Sequence, residues 1–200
     1  EQNADTALAA ATLDGVLYAV PFTADNGYFL YYDESVISDP ATLEGILADC
    51  EKAGRNFYMK LDSGWYQAAF FFGTGCVSEW TTDSDGTFIE VHDTFNSPQG
   101  LIAVKGMKKL VSSPYHLSSS LGSEFAQGAA AVVTGTWDYT AVKGILGDNM
   151  GVADLPSFEV DGQLYHLGSF NGCKLMGVKP QVDPARAAAL NQLALYLTGE

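Results

Sequence analysis

The segment Phe125–Trp137 restricts the fold of this 200-residue chain more than any other stretch. Its sequence, Phe-Ala-Gln-Gly-Ala-Ala-Ala-Val-Val-Thr-Gly-Thr-Trp, predicts a short helix ending at Gly128, a buried strand over Ala129–Thr134 and a glycine turn. Thr136 is the predicted N-cap of a following helix, because its hydroxyl can accept a hydrogen bond from a free helical amide. Trp137 begins that helix at the carboxyl end of the strand, the edge where ligands bind in open α/β sheets. The tryptophan either covers the core or forms a stacking surface for a ligand.

Helical and strand patterns alternate along the rest of the chain, which predicts the α/β class. Pro21 is expected to stop its strand, because proline has no N–H to donate to a ladder. The predicted strands are Val16–Phe22, Tyr28–Tyr32, Asn56–Leu61, Thr87–Val91, Ala129–Thr134, Met150–Leu155 and Lys174–Val178. The predicted helices are Glu1–Leu13, a helix from the Thr42 cap to Ala53, Gly64–Phe72, Pro98–Val111, a helix from Trp137 to Leu146, and Pro184–Leu197.

Composition excludes several classes of partner. The formal net charge is −14 and the ten basic residues are scattered, so nucleic acid and anionic membranes are poor partners. No run of eighteen apolar residues occurs, so no membrane-spanning helix is predicted. The three cysteines form no Cys-x-x-Cys pair and are interpreted as small buried hydrophobic residues. The histidines are isolated from one another, so neither a metal site nor a cofactor is predicted.

Catalytic motifs are equally scarce. The sequence contains no Walker A motif, no Gly-x-Gly-x-x-Gly and no Gly-x-Ser-x-Gly nucleophile elbow. Paired carboxylates for glycoside hydrolysis are available among Asp25, Asp62, Glu79 and Asp138, although a chain with 24 acidic residues supplies such candidates by chance. A glycoside-active enzyme or a carbohydrate-binding module is therefore an alternative, and no residue is predicted to be catalytic. A structural interaction domain with buried aromatic residues is a further alternative.

Aromatic residues supply the remaining signal. Trp65 and Tyr66 follow the predicted strand that ends at Leu61, and Trp137 follows another strand. Both positions are predicted helix starts, and at a common sheet edge they would form a stacking surface. Sugars suit such a surface, because their apolar C–H faces stack on aromatic rings while nearby side chains bond the hydroxyls. The opposing interpretation is that the aromatic residues only complete the core.

Several segments, in order, resemble motifs of the extracellular solute-binding proteins of ABC importers, the maltose/maltodextrin-binding class. Within the motif Phe125–Trp137, Val132 stands where the family has methionine and Thr136 where it has proline. The other similar segments are Gly15–Pro21, Tyr28–Tyr32, Pro40–Glu44, Val152–Pro156 and Gly168–Val178.

This resemblance implies a class II periplasmic-binding-protein-like lobe with a mixed central sheet flanked by helices. Residues 1–200 are expected to form a single C-terminal-type lobe, with hinge segments at about 16–22 and 168–178. The helix over 183–200 would pack on an N-terminal lobe outside this chain, so self-association through its exposed apolar face is expected. The implied location is extracytoplasmic, either periplasmic or as a cell-surface lipoprotein.

The resemblance also implies a ligand, a transporter and a set of binding residues. The expected ligand is an oligosaccharide, and the expected partners of the full-length receptor are ABC transporter permease subunits. The side chains predicted to stack on sugar rings are Trp65, Tyr66 and Trp137. Those predicted to bind hydroxyls are Asp25, Ser63 and Asp138, where Ser63 replaces an acidic contact of the maltodextrin binders.

Overall fold

The protein is described from a computed structural model that covers residues 5–169 and 172–199, without the side chain of Asp25. Its helices are α1 Asp5–Ala11, α2 Leu43–Ala53, α3 Gly64–Gly73, α4 Pro98–Val111, α5 Tyr139–Leu146 and α6 Pro184–Thr198, with 3₁₀ turns at Gly122–Gln127, Thr136–Asp138 and Gly147–Asn149. Its strands are β1 Thr12–Leu13, β2 Val16–Leu17, β3 Val20–Asn26, β4 Tyr28–Asp33, β5 Asn56–Tyr58, β6 Ser78–Thr82, β7 Phe88–Asp93, β8 His116–Leu117, β9 Ala129–Gly135, β10 Met150–Ala153, β11 Ser157–Val160, β12 Gln163–His166 and β13 Gly172–Met176. The chain divides into two compact units, residues 27–170 and residues 1–26 with 171–200.

A five-stranded sheet organises the unit of residues 27–170, in the order β10-β4-β9-β5-β8. The middle strand, β9, runs antiparallel to β4 and parallel to β5. All seven residues of β9 are buried, as the apolar run in its sequence predicts. The predicted α/β fold with a mixed central sheet flanked by helices is confirmed.

The two faces of this sheet carry separate hydrophobic clusters, because successive side chains of a strand point to opposite sides. The larger cluster contains Leu30 of β4 and joins it to residues of α2, α3 and α4 such as Ile46 and Phe70. The smaller cluster contains Tyr31 of β4 and joins it to residues such as Val142 of α5. Helices therefore cover the sheet on both sides.

Helix α2 begins at its predicted capping residue. The Thr42 hydroxyl accepts a hydrogen bond from the Gly45 amide at 3.0 Å, and α2 ends at Gly54 with a left-handed φ of 65°. The predicted cap at Thr136 is wrong, because the residue at the N-cap position is Gly135 and no side-chain cap hydrogen bond forms there. Trp137 lies in a short 3₁₀ turn, and the α-helix begins after that turn.

Two strand predictions fail for identifiable reasons. The strand predicted over Asn56–Leu61 ends at Tyr58, because hydrogen bonds from the Leu61 amide to Met59 O and from the Ser63 amide to Lys60 O turn the chain into α3. Pro21 does not stop its strand and instead pairs with Leu175 inside β3. Among the residues that the structure describes, β3 and β13 form a two-stranded sheet, so each strand keeps an open edge where a missing N–H is tolerated.

In the unit of residues 1–26 and 171–200, α6 packs against β3. Ala194 is the buried residue of α6 within the described range, while Leu195 and Tyr196 are 59% and 80% exposed. The chain passes between the two units after residue 26 and after residue 170. The predicted single lobe and its hinge segments remain predictions.

An arginine joins the two central strands at the edge where β9 begins. The Arg55 guanidinium donates to the carbonyl oxygens of Gly128 and Ala129 at 2.8 and 2.5 Å, and to Asp33 Oδ2 at 2.8 Å. Burial raises the pKa of Asp33, but hydrogen bonds from Ser35 and Arg55 outweigh it, so the pKa lies below its ordinary value. The end of β4 is therefore fixed to the start of β9.

The chain turns between Thr82 and Phe88 to form the β6–β7 hairpin, and all the strand residues of this hairpin are exposed. Its Trp80 is 75% exposed. The cysteine prediction holds for Cys50 and Cys76, which are buried, and fails for Cys173, which is partly exposed. Burial raises the pKa of the Cys50 thiol to about 12, so this thiol stays protonated.

Candidate functional site

Strand register places both predicted aromatic helix starts at one edge of the sheet. β5 runs parallel to β9, so the chain leaves both strands at the same edge, toward Trp65 and Trp137 respectively. The antiparallel neighbour β4 begins at this edge, with Tyr28 paired to Gly135. The predicted common edge for the two aromatic segments is confirmed.

Trp65 is half-buried and fixed by Tyr28. The Tyr28 hydroxyl donates to the Trp65 carbonyl oxygen at 2.9 Å, and the two rings meet edge to face with centroids 5.8 Å apart. Burial, followed by the neighbouring Tyr66, raises the pKa of Tyr28, so its hydroxyl stays protonated and remains a donor. The start of α3 is thereby attached to the first residue of β4.

Tyr66 is a core residue. Its side chain is 6% exposed, and its ring lies 4.9 Å from that of Tyr28. Successive residues of an α-helix point about 100° apart, so Trp65 and Tyr66 cannot present their rings in the same direction. The structure therefore contradicts the prediction that Tyr66 stacks on a sugar ring, and helical geometry was the signal that separates the pair.

Trp137 is 50% exposed at the same edge. Its indole ring lies over Gly135, in the space where a β-carbon would stand. The glycine in the turn is needed for this close approach and not for a left-handed backbone, because its φ is −99°. The exposure counts against the alternative in which Trp137 only covers the core.

The carboxylate of Asp138 forms hydrogen bonds within the protein. Its Oδ2 accepts hydrogen bonds from the Thr134 hydroxyl at 2.7 Å and from the Gly122 amide at 2.9 Å. Burial, then the charge of Asp138, raises the pKa of the nearby Tyr31 to about 12. The protonated Tyr31 hydroxyl donates to the Gly135 carbonyl at 3.2 Å. One oxygen of the predicted hydroxyl-binding carboxylate thus stabilises the loop before β9 instead.

Ser63 occupies the N-cap position of α3 but its side chain makes no cap hydrogen bond. Its carbonyl oxygen accepts from the Gln67 amide at 3.0 Å, and its hydroxyl has no hydrogen-bond partner among the described residues. Ser63 is partly exposed and lies two residues before Trp65. Asp25, the remaining predicted ligand residue, lies in β3 of the other unit, and its side chain is outside the described part of the structure.

Sequence reasoning missed a cavity of about 480 Å³ at this edge, lined by Phe29, Val152, Ala153 and Asp154. Phe29 is the second residue of β4, and Asp154 directly follows β10. No sequence signal marks it, because Asp154 lies inside the predicted strand Met150–Leu155, whereas β10 ends at Ala153. The pairing of β10 with β4, which brings Asp154 to this edge, is also not visible in the sequence.

The edge therefore offers indole surface and unpartnered polar groups to a ligand. Within residues 5–169 and 172–199, no group of three or more histidine, cysteine or acidic side chains is placed to hold a metal ion. In the same residues, no helix combines the length and the apolar character needed to cross a membrane.

Comparison with known proteins gives one consistent assignment. A structure determined with acarbose is 31% identical to this chain, covers 99% of it with a TM-score of 0.75, and is itself covered for 51% of its length. The maltodextrin-binding protein MalE1 of L. casei BL23 is 23% identical over 98% of the chain and 51% of its own length, with a TM-score of 0.77. Maltose-bound MalE3 of T. maritima is 18% identical over 98% of the chain and 54% of its own length, with a TM-score of 0.71. None of the curated proteins matches the chain.

The chain thus spans about half the length of the solved structures that it matches. The sequence model of the bacterial extracellular solute-binding proteins matches residues 2–200, nearly the whole chain. The protein therefore belongs to the family of bacterial extracellular solute-binding proteins.

Proposed function

We propose that this chain forms one side of an oligosaccharide-binding cleft, in the substrate-binding component of an ABC sugar importer. The observation that carries the proposal is the shared edge: Trp65 contacts the ring of Tyr28, and Trp137 lies over Gly135, the residue that pairs with Tyr28. Two indoles therefore flank one position at the open end of the sheet. Aromatic faces so placed suit the C–H surfaces of sugar rings.

The polar groups near the two indoles suit a neutral, hydroxyl-rich ligand. The free hydroxyl of Ser63 stands at the start of α3, next to Trp65. The formal net charge of −14 disfavours anionic ligands such as phosphate esters. The similar structures support a sugar ligand, since they include one determined with acarbose, one of a maltodextrin-binding protein and one with bound maltose. In the proposed role the protein binds its ligand and does not hydrolyse it.

The test uses the three tryptophans as separate reporters. The chain is labelled with 5-fluorotryptophan and titrated with maltose, maltotetraose and acarbose, while the three ¹⁹F resonances are followed. We expect the Trp65 and Trp137 resonances to shift with saturation, and the Trp80 resonance to stay fixed because it lies on the exposed hairpin. A single lobe makes only part of a closed cleft's contacts, so millimolar affinities are expected and NMR suits them.

Two results would overturn the proposal. One is the absence of any saturable shift at Trp65 and Trp137 with all three sugars, together with a response to spermidine or a tripeptide. The other is the appearance of hydrolysis products after long incubation, which would favour a glycoside-active enzyme. The importer assignment is tested separately, by asking whether a full-length receptor that contains this chain stimulates ATP hydrolysis by the permease complex only when sugar is present.

A further inference from the structure

Residues 167–169, which follow β12, lie directly against α3. The Gly168 amide donates a hydrogen bond to the carbonyl oxygen of Ala69 in that helix at 2.9 Å. A β-carbon on Gly168 would come within 3.1 Å of the Phe72 side chain, so the segment and the helix are in close contact. The preceding residue, Leu167, is only 1% exposed. The segment is therefore fixed to α3 shortly before the chain leaves the unit of residues 27–170.

Ser169 joins the same segment to the first residue of β4. Its hydroxyl donates to the Tyr28 carbonyl oxygen at 2.9 Å and accepts from the Tyr28 amide at a longer 3.4 Å. One hydroxyl thus contacts both backbone polar groups of Tyr28. The position at which β4 begins is therefore set by the segment that is also bonded to α3.

Tyr28 extends this attachment to Trp65. Its hydroxyl donates to the Trp65 carbonyl oxygen at 2.9 Å, and its ring meets the indole edge to face. Regular α-helical bonding already pairs a carbonyl with the amide four residues later, so the Tyr28 hydroxyl is an additional donor that α3 does not need in order to form. The bond therefore acts on where the start of α3 lies. The Tyr28 side chain is 2% exposed, so its contribution to the site is made from beneath the surface.

We infer that Tyr28 and Ser169 are positioning residues of the proposed sugar site, which hold the Trp65 indole in the orientation that stacks on a sugar ring. The inference rests on the proposed function, because it concerns one of the two stacking indoles. In this role the buried Tyr28 ring does not touch the sugar. An indole that is fixed before the ligand arrives loses less conformational freedom on binding, so affinity rises without a further contact.

The test removes the Tyr28 hydroxyl and keeps its ring. Wild type and Tyr28→Phe are labelled with 5-fluorotryptophan and titrated with maltotetraose. In the free variant we expect the Trp65 resonance to move and the Trp80 resonance to stay fixed. The Kd for maltotetraose should rise about fivefold, the equivalent of one neutral hydrogen bond. Tyr165→Phe is the control, because its hydroxyl also donates to a protein oxygen, Gln163 Oε1 at 2.8 Å, and it should leave the Trp65 resonance and the Kd unchanged.

A double-mutant cycle separates positioning from a general effect on the fold. In a Trp65→Ala background there is no indole to orient, so Tyr28→Phe should not change the maltotetraose affinity that Trp137 reports. A loss of affinity caused by Tyr28→Phe in both backgrounds would show that the hydroxyl acts on the fold in general, and would overturn the inference.

Ser169→Ala tests the second link of the chain. Ser169 is exposed, so its substitution is not expected to prevent folding. The Trp65 resonance should move in the same direction as in Tyr28→Phe, and the Kd for maltotetraose should rise about twofold, as for one weak hydrogen bond. Ser169→Thr keeps the hydroxyl and should restore wild-type values of both. Identical behaviour of Ser169→Ala and Ser169→Thr would overturn the role of this residue.

The two proposals fail in different ways. If maltotetraose moves the Trp65 and Trp137 resonances of the wild type, and Tyr28→Phe binds it with unchanged affinity, the cleft stands and the positioning role is wrong. If neither resonance of the wild type responds to any of the sugars, the proposed function is wrong and the positioning role fails with it.

Discussion

The indole ring of Trp137 lies over Gly135, two residues before it, so closely that a β-carbon on the glycine would collide with the ring. The backbone of Gly135 has a φ of −99°, which any residue adopts. The glycine is therefore selected by the position of the ring and not by the conformation of the chain. Two hydrogen bonds hold the same turn: the Tyr31 hydroxyl donates to the Gly135 carbonyl oxygen, and the Thr134 hydroxyl donates to Asp138 Oδ2.

Gly135→Ala is expected to displace the Trp137 ring and leave the fold intact. The backbone accepts alanine, and the exposed ring can move, so the free energy of unfolding should change by less than about 1 kcal/mol. Loss of the stacking position should weaken maltotetraose binding about fivefold, the equivalent of about 1 kcal/mol for one aromatic contact. The ¹⁹F shift of Trp137 and a titration report both effects. In a Trp137→Ala background the alanine at 135 should have no further effect on binding, and an additional loss there would contradict this account.

Asp138→Ala is expected to reduce stability more than sugar affinity. Removing the carboxylate leaves the buried Thr134 hydroxyl and the Gly122 amide without their partner, which costs about 1–3 kcal/mol. Urea denaturation measures this loss. Asp148→Ala, at a fully exposed carboxylate nearby in sequence, is the control and should change stability by less than about 0.5 kcal/mol. Equal stability of the two variants would show that Asp138 has no internal role.

Arg55→Met is expected to destabilise the protein by about 3 kcal/mol. It leaves the carboxylate of Asp33, only 8% exposed, without its cation, and the Gly128 and Ala129 carbonyls without that donor. The cost lies at the low end for such pairs because the arginine side chain is 27% exposed. Thermal and urea unfolding measure the change. Lys52→Met, on the exposed end of α2, is the control and should be close to wild type.

The lowered pKa of the Asp33 carboxylate also predicts that the protein loses stability in acid. Its folded pKa lies below its ordinary value, so the stability it contributes is fully present above the unfolded pKa of 3.8 and is lost as pH falls through the folded pKa. Urea midpoints measured from pH 5 to pH 2 should therefore fall more steeply in wild type than in Arg55→Met, in which the lowering of the pKa is weaker. If the urea midpoints of wild type and Arg55→Met fell in parallel with pH, the stabilising role of the Asp33 carboxylate would be contradicted.

His116 predicts a second pH effect in a higher range. Burial lowers its pKa, and its Nε2 lies 2.9 Å from the Met59 carbonyl oxygen, so a neutral ring donates there. The unfolded chain binds a proton near pH 6.5 and the folded chain does so only at lower pH, so stability should fall as pH drops below 6.5. His116→Gln retains a side-chain N–H donor without titrating, and should flatten this dependence. His92→Gln, at an exposed hairpin position, should retain it.

Helices α2, α3, α4 and α6 were predictable because their signals are local. Thr42, Ser97 and Asp183 act as caps through bonds to amides two or three residues away. The apolar run of β9 marks a strand that is buried on both faces. Each of these features depends on residues close together in the chain, so periodicity and capping residues reveal them.

The surroundings of Asp138 and Asp154 were not predictable in this way, because they depend on contacts between distant segments. One carboxylate oxygen of Asp138 accepts a hydrogen bond from the Gly122 amide, sixteen residues away in the chain. Asp154 joins the edge only because β10 pairs with β4, more than a hundred residues earlier in the chain. A carboxylate's freedom to bind a ligand is a property of its partners, and hydropathy and motif patterns do not contain that information.

The Arg55–Asp33 pair and the Trp137 turn lie at opposite ends of the same two strands, since Asp33 closes β4 and Gly135 closes β9. The ion pair and the proposed binding edge therefore lie about one strand length apart. Exposed residues of the proposed binding edge, such as Trp137, can therefore change during evolution while the ion pair maintains the other end of the sheet. A fold arranged in this way can acquire a new ligand specificity without first acquiring a compensating stabilising mutation.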